Sequence, residues 1–257
     1  MAKIGSPLFI VREECQRDLM AVLDKIAEIG FDGVEFVGLF GHTPASIRKK
    51  LDSLGLAAVG DHVPFDEFVN NTDRVIDGRI ELGCKYITVG APGADGLPGG
   101  SGYSRTVATY ERLGEMVNSA GLKLLFHNHA DEVRSVVNGK AVLEHLLDDV
   151  RSDLLFFEPD LGWIGIGGGD PVHYLTKYPN RCPVVHFKDY IPDGDGCQFR
   201  PTGYGVMNNA ELYAMTLSFD PRPEWYVLDH DLAYERDSFF DLAISLDYMR
   251  NLITVTR

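Results

Sequence analysis

The chain has 257 residues, 45% of them hydrophobic, and 24 Lys and Arg against 38 Asp and Glu, for a formal charge of −14. Such a chain can bury a full core, while its acidic balance repels phosphate backbones and anionic bilayers, so neither nucleic acid nor a membrane is an expected partner. Cys15, Cys84, Cys182 and Cys197 make no CxxC pair, charged residues stand where a signal peptide would be apolar, and no run nears the roughly 18 apolar residues of a membrane span. The expectation is a cytoplasmic protein with neither a thiolate metal site nor a disulfide framework.

In chain order, residues 3–11 read as a strand and 13–29 as a helix, with apolar residues at Leu19, Met20, Leu23, Ile26 and Ala27 and Gly30 as its stop. Residues 31–36 (FDGVEF) form the second strand, and Thr43-Pro44 opens a helix that Gly55 closes. The third strand, 56–63, ends on Asp61-His62. A helix over 65–82 follows, stopped by Gly83, and the fourth strand spans 85–90. The loop APGADGLPGGSG leads into a helix over 103–120. Residues 122–127 are the fifth strand, 139–149 a helix and 154–158 the sixth strand. A Gly-rich loop (Gly165, Gly167, Gly168, Gly169) runs into Asp170-Pro171, a capped helix start, and 183–187 is the seventh strand. Helix 208–217, strand 225–229 and helix 238–253 complete the chain.

Strand and helix thus alternate eight times with no linker or shift of composition. That pattern predicts an α/β fold, a single (β/α)8 TIM barrel over residues 1–257, with parallel strands and right-handed crossovers. Short apolar runs such as KYITVG, LLFH and PVVHF suit strands buried on both faces.

In such a barrel the carboxyl ends of the strands share one face, and side chains placed there converge. These ends carry Glu35, His62, His127-Asn128-His129 with Glu132 beyond, Asp160, His186 with Lys188, and Asp229 with Asp231. Carboxylates and imidazoles without thiolates suit a divalent ion such as Mn, Zn, Co or Mg. One polar residue at a strand end often caps a helix or binds loop amides, and Asp170 reads as such a cap. So many ionisable groups at successive strand ends exceed what independent caps explain. Asp189 and Asp231 read as partners that orient a ligand. The Gly-rich loops lack GxxxxGK[ST] and carry only a weak phosphate signal. Trp163, Phe199, Tyr204 and Trp225 are consistent with a lined pocket or with loops packed on the barrel.

The segments FDGVEF, LLFHNHADE, EPDLGW with GGDP, VVHFKDY and YVLDHD carry a resemblance, over essentially the whole chain, to the sugar phosphate isomerase/epimerase family of xylose isomerase-like TIM barrels. The resemblance implies one divalent metal ion held by a Glu, an Asp, a His and a last Glu. Asp160 matches the Asp and His186 the His. Asp229 stands where many relatives carry Glu, and His127 where epimerases carry Glu. Glu132, similar to a Glu that follows HNH in some relatives, completes the implied set Glu132, Asp160, His186 and Asp229. Trp163 replaces a His of the epimerases and implies an apolar wall, while Lys188 matches a family Lys and implies a contact to a substrate hydroxyl or phosphate. Glu35, His62, His127 and His129 are the other implied substrate contacts.

The chemistry so implied is proton abstraction next to the carbonyl of a sugar or sugar phosphate, through a metal-stabilised enediolate. Glu132 and Asp229 would exchange the proton, with Lys188 or His62 assisting at the substrate oxygens. Isomerisation or epimerisation is the preferred outcome, and dehydration of an inosose-type substrate the alternative. A non-catalytic carbohydrate-binding barrel is the reading from another class, raised by the departures at His127 and Asp229. An endonuclease-IV-like nuclease is opposed by the acidic charge. Homo-oligomerisation is left open.

Overall fold

The computed structural model describes residues 3–194 and 196–256. Eight parallel strands follow in chain order: β1 (Lys3–Pro7), β2 (Gly33–Phe36), β3 (Ala57–His62), β4 (Tyr86–Val89), β5 (Lys123–His127), β6 (Phe156–Glu158), β7 (Val184–Phe187) and β8 (Trp225–Leu228). Each pairs with the next through β6, and β8 pairs with both β1 and β7. Between β6 and β7 the barrel closes through a single parallel bridge of Asp160 with His186, whose amide donates to Pro159 O at 2.9 Å. The expected (β/α)8 barrel is therefore what forms. Two of the residues expected at its carboxyl face make the closing contact.

The major helices are α1 (Arg12–Ile29), α2 (Pro44–Leu54), α3 (Thr72–Leu82), α4 (Tyr103–Ser119), α5 (Val142–Asp149), α6 (Pro171–Lys177), α7 (Asn209–Thr216) and α8 (Ser238–Val255). Helix α1 kinks at Asp18, whose carboxylate accepts the Ala21 amide and restarts the helix. Gly30, Gly55 and Gly83 end their helices at positive φ, where a side chain would be strained. Asp170 caps α6 by accepting the Val172 amide at 2.9 Å.

Two expectations change. The helix expected over 65–82 breaks at Asn71 into Phe65–Asn70 and α3. Thr72 Oγ1 donates back to the Phe68 and Val69 carbonyls at the break and so competes with the helical ladder. The Gly-rich loop after Asp160 begins as a helix, Leu161–Ile166, because its glycines allow close approach. A Cβ on Gly162 would lie 2.7 Å from both Cβ and O of Lys188, and one on Gly167 would lie 2.8 Å from Ala130 O. The short helix is wedged between the segment after β7 and a second short helix, Ala130–Arg134. An antiparallel hairpin, Asp189–Asp193 with Gly196–Arg200, rises from the end of β7.

Val59, Tyr86, Leu125, Val184, Trp225 and Val227 form a cluster separate from the larger apolar layer. They fill the barrel's interior on the side of the strand starts. Trp225, at the start of β8, lies there and does not line the pocket described below. Gly33 is the position that admits it, since a Cβ there would come within 2.8 Å of the indole. The floor is thus plugged, and open space remains at the carboxyl ends of the strands.

Candidate functional site

Register decides which side chains reach the open end. The β2–β3 pairing shifts register between Val34 and Phe36, where Val59 and Gly60 of β3 together stand against Glu35 alone, a bulge in β3 beside that carboxylate. His62 ends β3 and faces Thr88 of β4. His127 ends β5 directly opposite Glu158 of β6, and Val227 lies opposite His186. Asp160 follows Glu158 by two residues, and Lys188 and Asp229 stand one residue beyond β7 and β8.

These groups surround a pocket of about 470 Å³, within the size range of small-molecule sites. Glu35, His62, His127, His129, Trp163, His186, Lys188, Asp229 and Asp231 line it, with Pro7, Phe9 and Val37 on its apolar side. The Trp163 ring stands 5.8 Å from that of His129 and 5.3 Å from that of Phe199.

Two donor sets share His127 and His186. In one, Glu35 Oε2 lies 2.9 Å from His186 Nε2 and 3.1 Å from His62 Nε2. Glu158 Oε2 lies 3.2 Å from His62 Nε2, 3.6 Å from His186 Nε2 and 3.1 Å from His127 Nδ1. In the other, Asp160 Oδ2 is 3.8 Å from His127 Nε2, and Asp229 Oδ2 is 3.2 Å from His186 Nδ1. Each imidazole thus presents one nitrogen to each set. Lys188, only 1% exposed, places its Nζ 2.8 Å from Asp160 Oδ2, 3.0 Å from Asp229 Oδ2 and 2.8 Å from Asp231 Oδ1.

The surroundings orient these groups. Asp160 Oδ1 accepts the Trp163 amide at 2.8 Å, capping the short helix. Asn128 is wholly buried and brackets the Asp160 backbone, accepting its N–H at 3.0 Å and donating to its carbonyl at 3.3 Å. Thr88 Oγ1 donates to Glu158 Oε1 at 3.2 Å. Asp189 accepts from the amides of Tyr190, Gly203 and Met207 and from Asn209 Nδ2, so it fixes the loop after the hairpin and reaches no donor of the site.

Burial and mutual charge set the protonation of the cluster. Burial and the charge of Glu35 push Glu158 up to about 7. Burial, with Asp229 adding to it against the pull of Lys188, pushes Asp160 up to about 7. Burial alone would lower His62, but Glu35 and Glu158 raise it to about 10. Burial would raise Glu35, and the charges of His186 and His62 more than reverse this. His127 is held well below the ordinary imidazole range by burial and by its neighbours His186 and His62, which favours its neutral, ligating form.

The arrangement fits a divalent cation. His62, His127, Glu158 and His186 form one group of convergent donors, and His127, Asp160, His186 and Asp229 form another, each within 4.8 Å. Glu35 Oε1, His62 Nε2, Asp160 Oδ2 and His186 Nε2 are buried without a directed hydrogen bond. Such orphaned atoms are costly unless something binds them.

The structure does not bring Glu132 to this cluster. Its Oε2 accepts the His129 amide at 2.8 Å, the capping box of helix Ala130–Arg134, and the residue is absent from the pocket lining. A Glu three residues after a helix N-cap is held by local geometry, whatever its place in a motif. Glu158, absent from the expected ligands, is present instead. The signal for it was the spacing EPD, which puts two carboxylates two residues apart on one side of an extended segment.

A family profile, xylose isomerase-like TIM barrel, matches residues 23–218. An inosose dehydratase of Geobacillus kaustophilus is 26% identical over 194 residues, covering 67% of this chain and 62% of that enzyme. The chain spans about 62% of the length of the curated relatives it matches. Among solved structures, a sugar phosphate isomerase/epimerase from Parabacteroides distasonis is 22% identical with a TM-score of 0.78, covering 97% of this chain and 93% of that one. A xylose isomerase-like TIM barrel protein from Mycobacterium smegmatis, solved in complex with magnesium, is 16% identical with a TM-score of 0.74, covering 100% and 98%. At these identities the two structures share the fold.

Proposed function

This chain belongs to the xylose isomerase-like TIM barrels, and on that premise we propose that it is a divalent-metal-dependent enzyme that removes the proton next to the carbonyl of a small sugar. The observation that carries this reading is the buried convergence of imidazoles and carboxylates on a pocket at the carboxyl ends of the strands. A divalent ion bound among them would supply Lewis-acid stabilisation of the charge that develops on the substrate oxygen.

The chain's own groups divide the remaining work. Asp229 is held well below the carboxylate range, since Lys188 and His186 outweigh its burial, and it serves as the base. Lys188 keeps its charge, because Asp160, Asp229 and Asp231 outweigh burial, and it steadies a substrate oxygen. With Glu132 turned to its helix cap, the second proton-handling group is His129, which lines the pocket and is kept neutral chiefly by burial. Trp163 shields this space from water and presents an apolar face to the substrate. Lys188 is the one Lys or Arg among the described residues lining the pocket, and three carboxylates already share it. That supports an unphosphorylated sugar over a sugar phosphate.

Return of the proton to carbon makes the reaction an isomerisation or epimerisation. Dehydration is the second reading, favoured by the inosose dehydratase likeness and by the removal of Glu132 from the expected pair of carboxylates. Incubation with ketoses and inososes in deuterium oxide, with Mn(II) supplied, tests both. Deuterium at the carbon next to the carbonyl supports isomerase chemistry, and an absorbing conjugated enone supports dehydration. Neither product from any such substrate, with Mn(II) bound, would leave a carbohydrate-binding barrel.

A further inference from the structure

The xylose isomerase-like resemblance leads one to expect the ion beside Asp160 and Asp229, yet the geometry puts another cation there. We infer that the divalent ion is held between Glu35, His62, Glu158 and His186, and that the Lys188 ammonium takes the position beside Asp160 and Asp229. This inference rests on the metal-dependent reading above and relocates its ion.

Donor separations support the relocation. With metal–donor bonds of about 2.1 Å, neighbouring donors stand about 3.0 Å apart in an octahedral shell and about 3.4 Å apart in a tetrahedral one. The four edges linking Glu35 Oε2 and Glu158 Oε2 to His62 Nε2 and His186 Nε2 measure 2.9, 3.1, 3.2 and 3.6 Å. Two charged imidazoles hydrogen-bonded to two carboxylates would give similar lengths, but neither Nε2 makes a directed hydrogen bond to those oxygens. His186 and Glu35 are 1% and 2% exposed, and each leaves a buried atom, His186 Nε2 and Glu35 Oε1, with no hydrogen-bond partner. Imidazole nitrogens of His62 and His186 that face the Glu35 and Glu158 carboxylates without a directed hydrogen bond to them are what a coordination shell provides. Thr88 steadies Glu158 from behind, as a partner outside the shell should.

In the opposite set Asp160 Oδ2 is likewise buried without a directed hydrogen bond, but an ammonium already stands among its carboxylates. The Lys188 Nζ lies 2.8 and 3.0 Å from the carboxylate oxygens of Asp160 and Asp229 and is held on its third side by Asp231. Its ring neighbours, Trp163 at 4.8 Å and Phe199 at 5.6 Å, suit a fixed ammonium. A dication in the same space would have to displace it.

Crystals of the full chain soaked in MnCl2, with data collected at the manganese edge, locate the ion directly. Titration of Glu158→Gln, Asp160→Asn and Lys188→Met with Mn(II), followed by electron paramagnetic resonance of the free ion, gives an independent readout, with circular dichroism to verify folding. The expected result is an anomalous peak bonded to Glu35, His62, Glu158 and His186. Affinity should fall at least about ten-fold in Glu158→Gln and by clearly less in Asp160→Asn, and Lys188→Met should admit a second Mn(II). A peak bonded to Asp160 and Asp229, with affinity lost in Asp160→Asn and kept in Glu158→Gln, overturns the location and leaves the metal-dependent function standing. No bound Mn(II) in the wild type overturns both.

Discussion

Gly162→Ala separates local propensity from tertiary packing, because the two predict opposite signs. In an isolated helix the change gains up to about 1 kcal/mol. Here the new Cβ would lie 2.7 Å from Lys188 Cβ, 2.7 Å from its carbonyl oxygen and 2.8 Å from its Cγ, closer than such atoms come. Part of that contact is backbone, and the Lys188 side chain is tied to three carboxylates, so the short helix must move. Overpacking of this kind costs about 1–3 kcal/mol, and loss of the Asp160–Trp163 cap costs about 1 kcal/mol more. Set against the propensity gain, the expected net loss is about 1–3 kcal/mol. The assay is urea unfolding followed by circular dichroism, with Gly78→Ala in α3 as the matched control. A Cβ at Gly78 meets only Pro44 Cγ at 3.6 Å, ordinary contact, so that variant should be as stable as wild type or gain up to about 1 kcal/mol. A Gly162→Ala protein at or above wild-type stability would refute the close packing of this helix on the segment after β7.

Trp225→Ala should cost about 3–5 kcal/mol, since it empties the plug of the barrel floor between Gly33, Val59 and Val227. A shift of the urea midpoint equivalent to less than about 1 kcal/mol would show that the floor does not depend on the indole. Binding of Mn(II) should release protons. His62, which Glu35 and Glu158 raise to about 10 against its burial, carries a proton at neutral pH that must leave before its nitrogen can bind a metal. Affinity should therefore rise with pH between about 6 and 8, and the calorimetric heat should depend on the ionisation enthalpy of the buffer. An affinity that stays flat over that range would remove His62 from the coordinating groups.

The sequence by itself determined the elements and their order. Apolar periodicity, the caps at Thr43 and Asp170, and the helix stops Gly30, Gly55 and Gly83 act within one or two turns of chain, and each stands where it was read. Eight alternating units leave a parallel barrel as the closed solution, so the convergence of strand ends was legible too. Tertiary structure decided what register and close approach control. The β3 bulge that stands against Glu35, the pairing that sets Glu158 opposite His127, and the bridge that closes the barrel at Asp160 and His186 are contacts between segments far apart in the chain. Glu132 lies in the short helix beyond β5 and caps it, while Glu158 ends β6 opposite His127 and meets the imidazoles, a difference that strand pairing decides. Trp225 sits in the barrel floor because Gly33 of β2 leaves its indole room. A residue type states which bonds are available, and the closed barrel chooses which of them are made.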